Sequence, residues 1–165
     1  MKLRENIIIY LQTGLIAATI LVTIVISCVL AVYMVDLSHL VANQEGYESI
    51  QFMRVPVLIS IEAVIILFII ACLLALPFLL LIAKDQVYSR QGDILLRLMG
   101  SCFLLMAIPC IGLMFYTDAH VDGSITNLYV MLGLVISFII ANLMFLFANS
   151  LRLGQRYKEE NDLTV

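Results

Sequence analysis

The sequence predicts an all-α protein: a bundle of four transmembrane helices with both termini in the cytoplasm. Three observations carry that expectation. Hydrophobic residues make up 63% of the 165 positions and charged residues 13%, whereas a soluble domain is about half apolar and about a quarter charged. The apolar excess is gathered into four runs, at 7–35, 55–83, 94–117 and 125–149. Lys2, Arg4, Lys84, Arg90, Arg97, Arg152, Arg156 and Lys158 fall on one side of the membrane these runs imply, and of the nine Lys and Arg residues only Arg54 falls on the other.

Each run passes the length test for a span, which needs ~20 mostly apolar residues to cross about 30 Å of hydrocarbon. Lipid offers no hydrogen bonds, so each run must satisfy its own backbone as a helix. Too little polar sequence remains to cover these runs as core helices of a soluble protein; the mean hydropathy is +1.09. Span one follows Lys2 and Arg4 and is far longer than the 7–15 apolar residues of a signal peptide. Val25-Ile26-Ser27-Cys28 resembles a lipobox, but Val29–Val35 stays apolar, so an intact first span is expected and Cys28 is read as unlipidated. Span two opens on Pro56, whose missing N–H costs nothing in a first helical turn. Spans two and three are joined by the short polar link Lys84–Asp93, which makes them antiparallel neighbours. Span four follows the turn Asp118–Ser124 and leads into a charged tail. No internal repeat or low-complexity segment divides the chain, so 1–165 reads as one polytopic domain.

Basic residues accumulate in cytoplasmic loops. That rule places both termini and the middle link inside. Asp36, His39, Glu45, Glu48, Asp118, His120 and Asp122 then lie outside. The first outer loop, Asp36–Arg54, is long enough for a short interfacial helix, with Tyr47 and Phe52 on the headgroups.

Glu62 is the foremost candidate functional residue. It sits about two turns into span two from the outer side, and an ionisable group within a span marks a functional site by default. Arg54 is eight residues away, ~12 Å along a helix, too far to pair with it. Tyr33 and Tyr129, with Tyr116, are the expected partners at that depth. The chemistry open to such a group is proton or cation sensing; the bland reading is a carboxyl that snorkels outward or bonds a tyrosine.

A second polar line, Asn142, Asn149, Arg152 and Arg156, shares one face of span four, with Gln12 at a comparable depth on span one. Interhelical amide bonds suffice to explain it. Small residues at four-residue spacing suit close helix contact: Gly133, Ser137 and Ala141, Gly14 and Ala18, and Ala71 and Ala75. They leave open packing within one copy or in a homo-oligomer. Pro77 and Pro109 each remove a helix hydrogen bond, kink their spans, and leave the carbonyls of Leu73 and Leu105 in need of donors. The four cysteines lie within spans and form no C-x-x-C pair, so they read as small apolar residues. His39 and His120 have acidic neighbours at generic spacing, which assigns no metal. No catalytic motif or phosphate loop occurs, and no basic stripe with interleaved aromatics appears, so neither an enzyme, a cofactor nor direct nucleic-acid binding is expected.

Three stretches carry a resemblance. They are the tail Lys158-Glu159-Glu160-Asn161-Asp162-Leu163-Thr164-Val165, the link Tyr88-Ser89-Arg90-Gln91-Gly92-Asp93 running into Leu96-Arg97, and the exit Phe145–Phe147 before Leu151 and Arg152. Together they resemble a bacterial family of small four-span membrane proteins of unknown function, DUF2975, along the whole architecture. The family's link usually has Phe-Ser and an Asn where this chain has Tyr88-Ser89 and Asp93. The resemblance implies a cytoplasmic partner, a small Cro/CI-type helix-turn-helix regulator. Arg90, Arg97, Arg152, Arg156, Glu159, Glu160 and Asp162 are then the candidate docking residues.

The sequence thus predicts a non-enzymatic, multi-pass protein of a bacterial inner membrane, with a regulatory or interaction role. Two alternatives stand beside it. One is a small transporter or exporter subunit built around Glu62, Pro77 and Pro109 and working as an oligomer. The other is an immunity or envelope-stress factor against membrane-active peptides.

Overall fold

The computed structural model describes residues 2–42, 50–84, 86–120 and 125–162. All regular structure in them is helical: α1 (Lys2–Ala42), α2 (Ile50–Ala83), α3 (Arg90–Leu105), α4 (Ala107–His120) and α5 (Ile125–Asp162). Four segments are long and apolar enough to cross a membrane: Ile7–Asp36, Val55–Ala83, Arg90–His120 and Asn127–Tyr157. This is a multi-pass membrane protein. The expected interfacial helix with Tyr47, the Gly123 turn and the last three residues lie outside the described residues, as do the side chains of His39 and Phe52.

Two helices outrun their apolar runs. α1 continues to Ala42 and α5 to Asp162. Neither continuation contains Pro or a helix-interrupting cap, and 151–162 is rich in Arg, Lys, Glu and Gln, which are good helix formers. α3 begins at Arg90, four residues before the expected span. Ser89 caps it: its backbone is extended (φ −97°, ψ 158°) and its hydroxyl accepts from the Gly92 N–H at 3.4 Å. Asp93 in that first turn complements the positive helix end.

The three prolines act differently. α2 begins at Ile50, so Pro56 lies inside it rather than in its first turn, and the helix runs unbroken through Pro56 and Pro77. Span three is interrupted at Met106, three residues before Pro109, dividing it into α3 and α4. Met106 keeps helical angles and its N–H still reaches the Cys102 carbonyl, so the chain bends rather than unwinds. Ser137 on α5 donates a 2.5 Å hydrogen bond to the Phe103 carbonyl at this bend. A hydroxyl from the neighbouring helix thus pairs with backbone beside the break, at Phe103 rather than at Leu105, the carbonyl that Pro109 deprives of its donor.

The helices do not form a symmetric four-membered bundle. Among the described residues the spans pack in chain order: α1 touches only α2, α2 packs on α3–α4, and α5 packs on the other side of α3–α4, most extensively on α3, without touching α2. The core accordingly lies among the last three spans, with Ala71, Leu96, Met99, Cys102, Met106, Leu113, Ala141 and Ala148 buried. Ala141 and Ala148 are completely covered. With Ser137 they let α5 approach α3 closely, as small residues do in membrane interfaces. Gly100 performs the same service from α3, sitting against Phe145 and Met144. Gly14 and Gly133, by contrast, face open space. The outer surface is apolar all round, from Tyr10 and Leu15 to Phe115 and Leu146, as suits a molecule whose solvent is lipid.

Candidate functional site

Two polar constellations stand out, one in the membrane interior and one at the basic end.

The first is built on Glu62. The Ser27 hydroxyl, from α1, donates to Glu62 Oε2 at 2.6 Å. The other carboxyl oxygen, Oε1, is buried with no hydrogen-bond partner. No other Asp, Glu, Lys or Arg occurs within residues 6–35, 55–83, 98–117 or 125–151. The chain therefore supplies Glu62 with no counter-charge at its depth. The tyrosines point elsewhere: Tyr33 and Tyr129 are 63% and 68% exposed on the outer surface. Tyr116 stacks on His120, with ring centroids 4.4 Å apart. Tyr33 is six residues from Ser27, about 240° round the helix at 3.6 residues per turn. It lines an open groove with Cys28, Val32 and Asp36. Ser27 escaped the sequence reading, which treated its tetrapeptide only as a processing signal. A signal for it existed. In an antiparallel hairpin, facing residues are equidistant from the turn, and the midpoint of 27 and 62 falls within the α1–α2 connection.

An apolar cleft of about 190 Å³ lies on the opposite face of α2, between Ile61, Val64 and Ile65 and, across it, Pro109, Leu113 and Val130. It is below the ~300 Å³ at which ligand pockets begin. No group of three metal-ligating side chains converges among the described residues.

The second constellation joins the α2–α3 link to the exit of α5. Arg97 Nε donates to Asp93 Oδ1 at 2.9 Å, one turn back on α3. Its Nη2 donates to Asn149 Oδ1 on α5 at 2.8 Å. One guanidinium thus ties two helices. About a turn and a half further toward the basic end, Gly154 seats the Tyr88 ring so closely that a Cβ there would lie 2.7 Å from Tyr88 Cε1. Gly92 is buried, and a Cβ on it would be driven into the Val87 carbonyl oxygen. Ser89, Gly92, Tyr88 and Gly154 therefore shape one clasp that holds the link against α5.

The candidate docking residues divide accordingly. Arg97 is engaged inside the molecule. Arg90, Arg152 and Arg156 are exposed at the same end. Glu160 is exposed on the last turns of α5; the side chains of Glu159 and Asp162 lie outside the described residues. On the polar line of span four, Asn149 bonds across to α3, while Asn142 is exposed and bonds only its own helix, at the Phe138 carbonyl.

Three of the four clasp residues, Tyr88, Ser89 and Gly92, belong to the link that carried part of the resemblance; Gly154 lies just beyond the span-four exit. No curated protein and no solved structure matches the chain. The family model described as "Protein of unknown function (DUF2975)" matches residues 41–165. It begins at the last turn of α1, so it takes in the three-span core and leaves out nearly all of the helix that touches α2 alone. The resemblance is therefore narrower than the whole length, and over its final three spans this chain belongs to the DUF2975 family.

Proposed function

We propose that this chain is a non-enzymatic protein of a bacterial inner membrane, with both termini in the cytoplasm, that holds a small helix-turn-helix regulator at the membrane. The observation that carries the reading is the unbroken continuation of α5 beyond its span. The helix runs to Asp162, past the span end at Tyr157. Its base is fixed by the Tyr88–Gly154 seat and the Arg97–Asn149 bond. Glu159, Glu160 and Asp162 are thus carried on a rigid helical extension rather than a loose tail. A DNA-binding face is basic, and complementary charge steers encounter and suppresses wrong partners. A regulator held in this way would be kept from DNA until the extension let it go. Removal of residues 159–165 tests this. The shortened protein is expected to insert normally while a co-expressed helix-turn-helix regulator no longer co-purifies with membranes. Co-purification unchanged by the deletion would refute the reading.

A second reading, transport around Glu62, draws on one specific observation: the buried, unpartnered Oε1 in a core without counter-charge. It expects a proton- or cation-driven flux in proteoliposomes that Glu62→Gln abolishes. Absence of flux in both forms under several gradients removes it.

A further inference from the structure

We propose that Arg90, Arg152 and Arg156 form a binding site for the phosphate headgroup of an anionic phospholipid, at the basic end of the seam between α3 and α5. The inference is independent of the regulator reading, which uses the acidic tip of α5 rather than the arginines at its base.

The register of the seam brings these residues together. Arg97 and Asn149 are level, joined at 2.8 Å. Gly92 lies beside Leu151, and Tyr88 against Gly154, so the two helices run antiparallel. Arg90 stands seven residues before Arg97, and Arg156 seven residues after Asn149. Seven residues are two turns, ~10.5 Å of rise, so both stand at one level beyond the Arg97–Asn149 bond. They also keep the faces that bond occupies, since positions seven apart share a helix face. Arg152, three residues after Asn149, lies between.

All three guanidiniums are exposed, and none stands in an ion pair among the described residues. Asp93, three residues from Arg90, is already held by Arg97 at 2.9 Å, while Glu159 and Glu160 follow Arg156 by three and four residues. Like charges gathered at one level repel unless an anion sits between them. Guanidinium matches phosphate oxygens with a bidentate fork.

Depth selects a lipid over a soluble anion. The membrane-spanning segments begin at Arg90 and end at Tyr157, so the cluster stands at the hydrocarbon boundary, where headgroup phosphates lie. Tyr88 and Tyr157, both more than half exposed, flank it as aromatic side chains do at that boundary. Ile94 and Leu98 on α3 offer exposed apolar surface for an acyl chain just beyond. Basic pockets between membrane helices commonly take such headgroups.

The test uses the full-length chain in detergent, titrated with dioleoylphosphatidylglycerol or dioleoylphosphatidylcholine and read by native mass spectrometry and thermal unfolding. Phosphatidylglycerol is expected to be retained and to raise the melting temperature, and phosphatidylcholine to do neither. The triple variant Arg90→Gln, Arg152→Gln, Arg156→Gln should weaken phosphatidylglycerol retention by about tenfold or more, since each basic residue near a headgroup contributes to anionic-lipid affinity. Lys84→Gln, an exposed cation at the same end, should leave it unchanged. Replacing the three arginines by Lys keeps charge and loses the fork, so it should give an intermediate loss and serves if the Gln variant does not fold. Equal retention of both lipids, protection by inorganic phosphate as strong as by phosphatidylglycerol, or full retention by the folded triple variant each overturns the proposal. So does selectivity that appears only after residues 159–165 are removed, because the tail carboxylates would then occupy the arginines.

Discussion

Glycines 92 and 154 show how single residues set the geometry of the basic end. Each is small because another group needs the space: the Val87 carbonyl in one case, the Tyr88 ring in the other. Gly154→Val should displace the Tyr88 ring and cost about 1–3 kcal/mol, the range for overpacking a well-filled site. Tyr88→Ala in the same chain should recover much of that loss, as a double-mutant cycle in thermal or denaturant unfolding would show. Additive losses would mean that the two residues do not share the seat. Glu62 and Ser27 pose the opposite problem at this scale: a carboxyl with one oxygen bonded and one buried alone. The type and depth of Glu62 were legible in the sequence, because a lone carboxyl in an apolar run is conspicuous. Its partner was not, because a serine in an apolar helix looks like any other small residue until the neighbouring helix is placed.

Among the elements, α1 and α5 are the two outer helices, each packed on one neighbouring span among the described residues. α1 is the longest helix, yet it contacts only α2, and the Ser27–Glu62 bond is its polar tie to the core. The family match, beginning at residue 41, follows the same division. A chain lacking residues 2–40 should therefore still assemble its last three spans. With Arg97→Cys and Asn149→Cys in a background free of other cysteines, it should still form the cross-link across the α3–α5 seam. Loss of that cross-link would show that α1 is needed for the core. In the shortened chain Glu62 faces lipid without Ser27, and an unpaired buried polar group costs roughly 1–3 kcal/mol. Glu62→Leu should then raise recovery of the shortened protein and lower that of the full one. The interruption at Met106 is the other element-scale feature. It falls three residues before Pro109, and Ser137 bonds the Phe103 carbonyl there from α5. At Pro77 α2 continues as one helix. Proline removes one hydrogen bond wherever it stands; whether the helix breaks depends on the packing around it.

At the scale of the molecule, charge and polarity are sorted along the membrane normal. Basic residues, the clasp and the α5 extension gather at one end, and Glu62 lies nearer the other. An arrangement with both termini and the link Lys84–Asp93 inside follows from the distribution of Lys and Arg. Single cysteines introduced at Gln86→Cys and Asn161→Cys should resist an impermeant thiol reagent in intact cells and react after permeabilisation. One at Asp122→Cys should react in intact cells. The reverse pattern would invert the molecule and remove the cytoplasmic docking reading with it. In the arrangement proposed, an outer-half carboxyl on α2 and an inner platform on α5 are separated by span three, on which both helices pack.

By itself the sequence determined the number of spans, their helical nature, the end at which the basic residues collect, and the family stretches. These follow from hydropathy, run length and charge, which are properties of a residue and its near neighbours. The tertiary structure decided which helices touch. It placed α1 at the edge against α2 alone, gave Glu62 to Ser27 rather than to a tyrosine, committed Arg97 to Asn149, and set Tyr88 on Gly154. The reason is that lipid is as apolar as the helices, so hydrophobicity drives them into the membrane but does not choose their neighbours. That choice rests on close packing at small residues and on a few hydrogen bonds, which exist only once two helix faces have met.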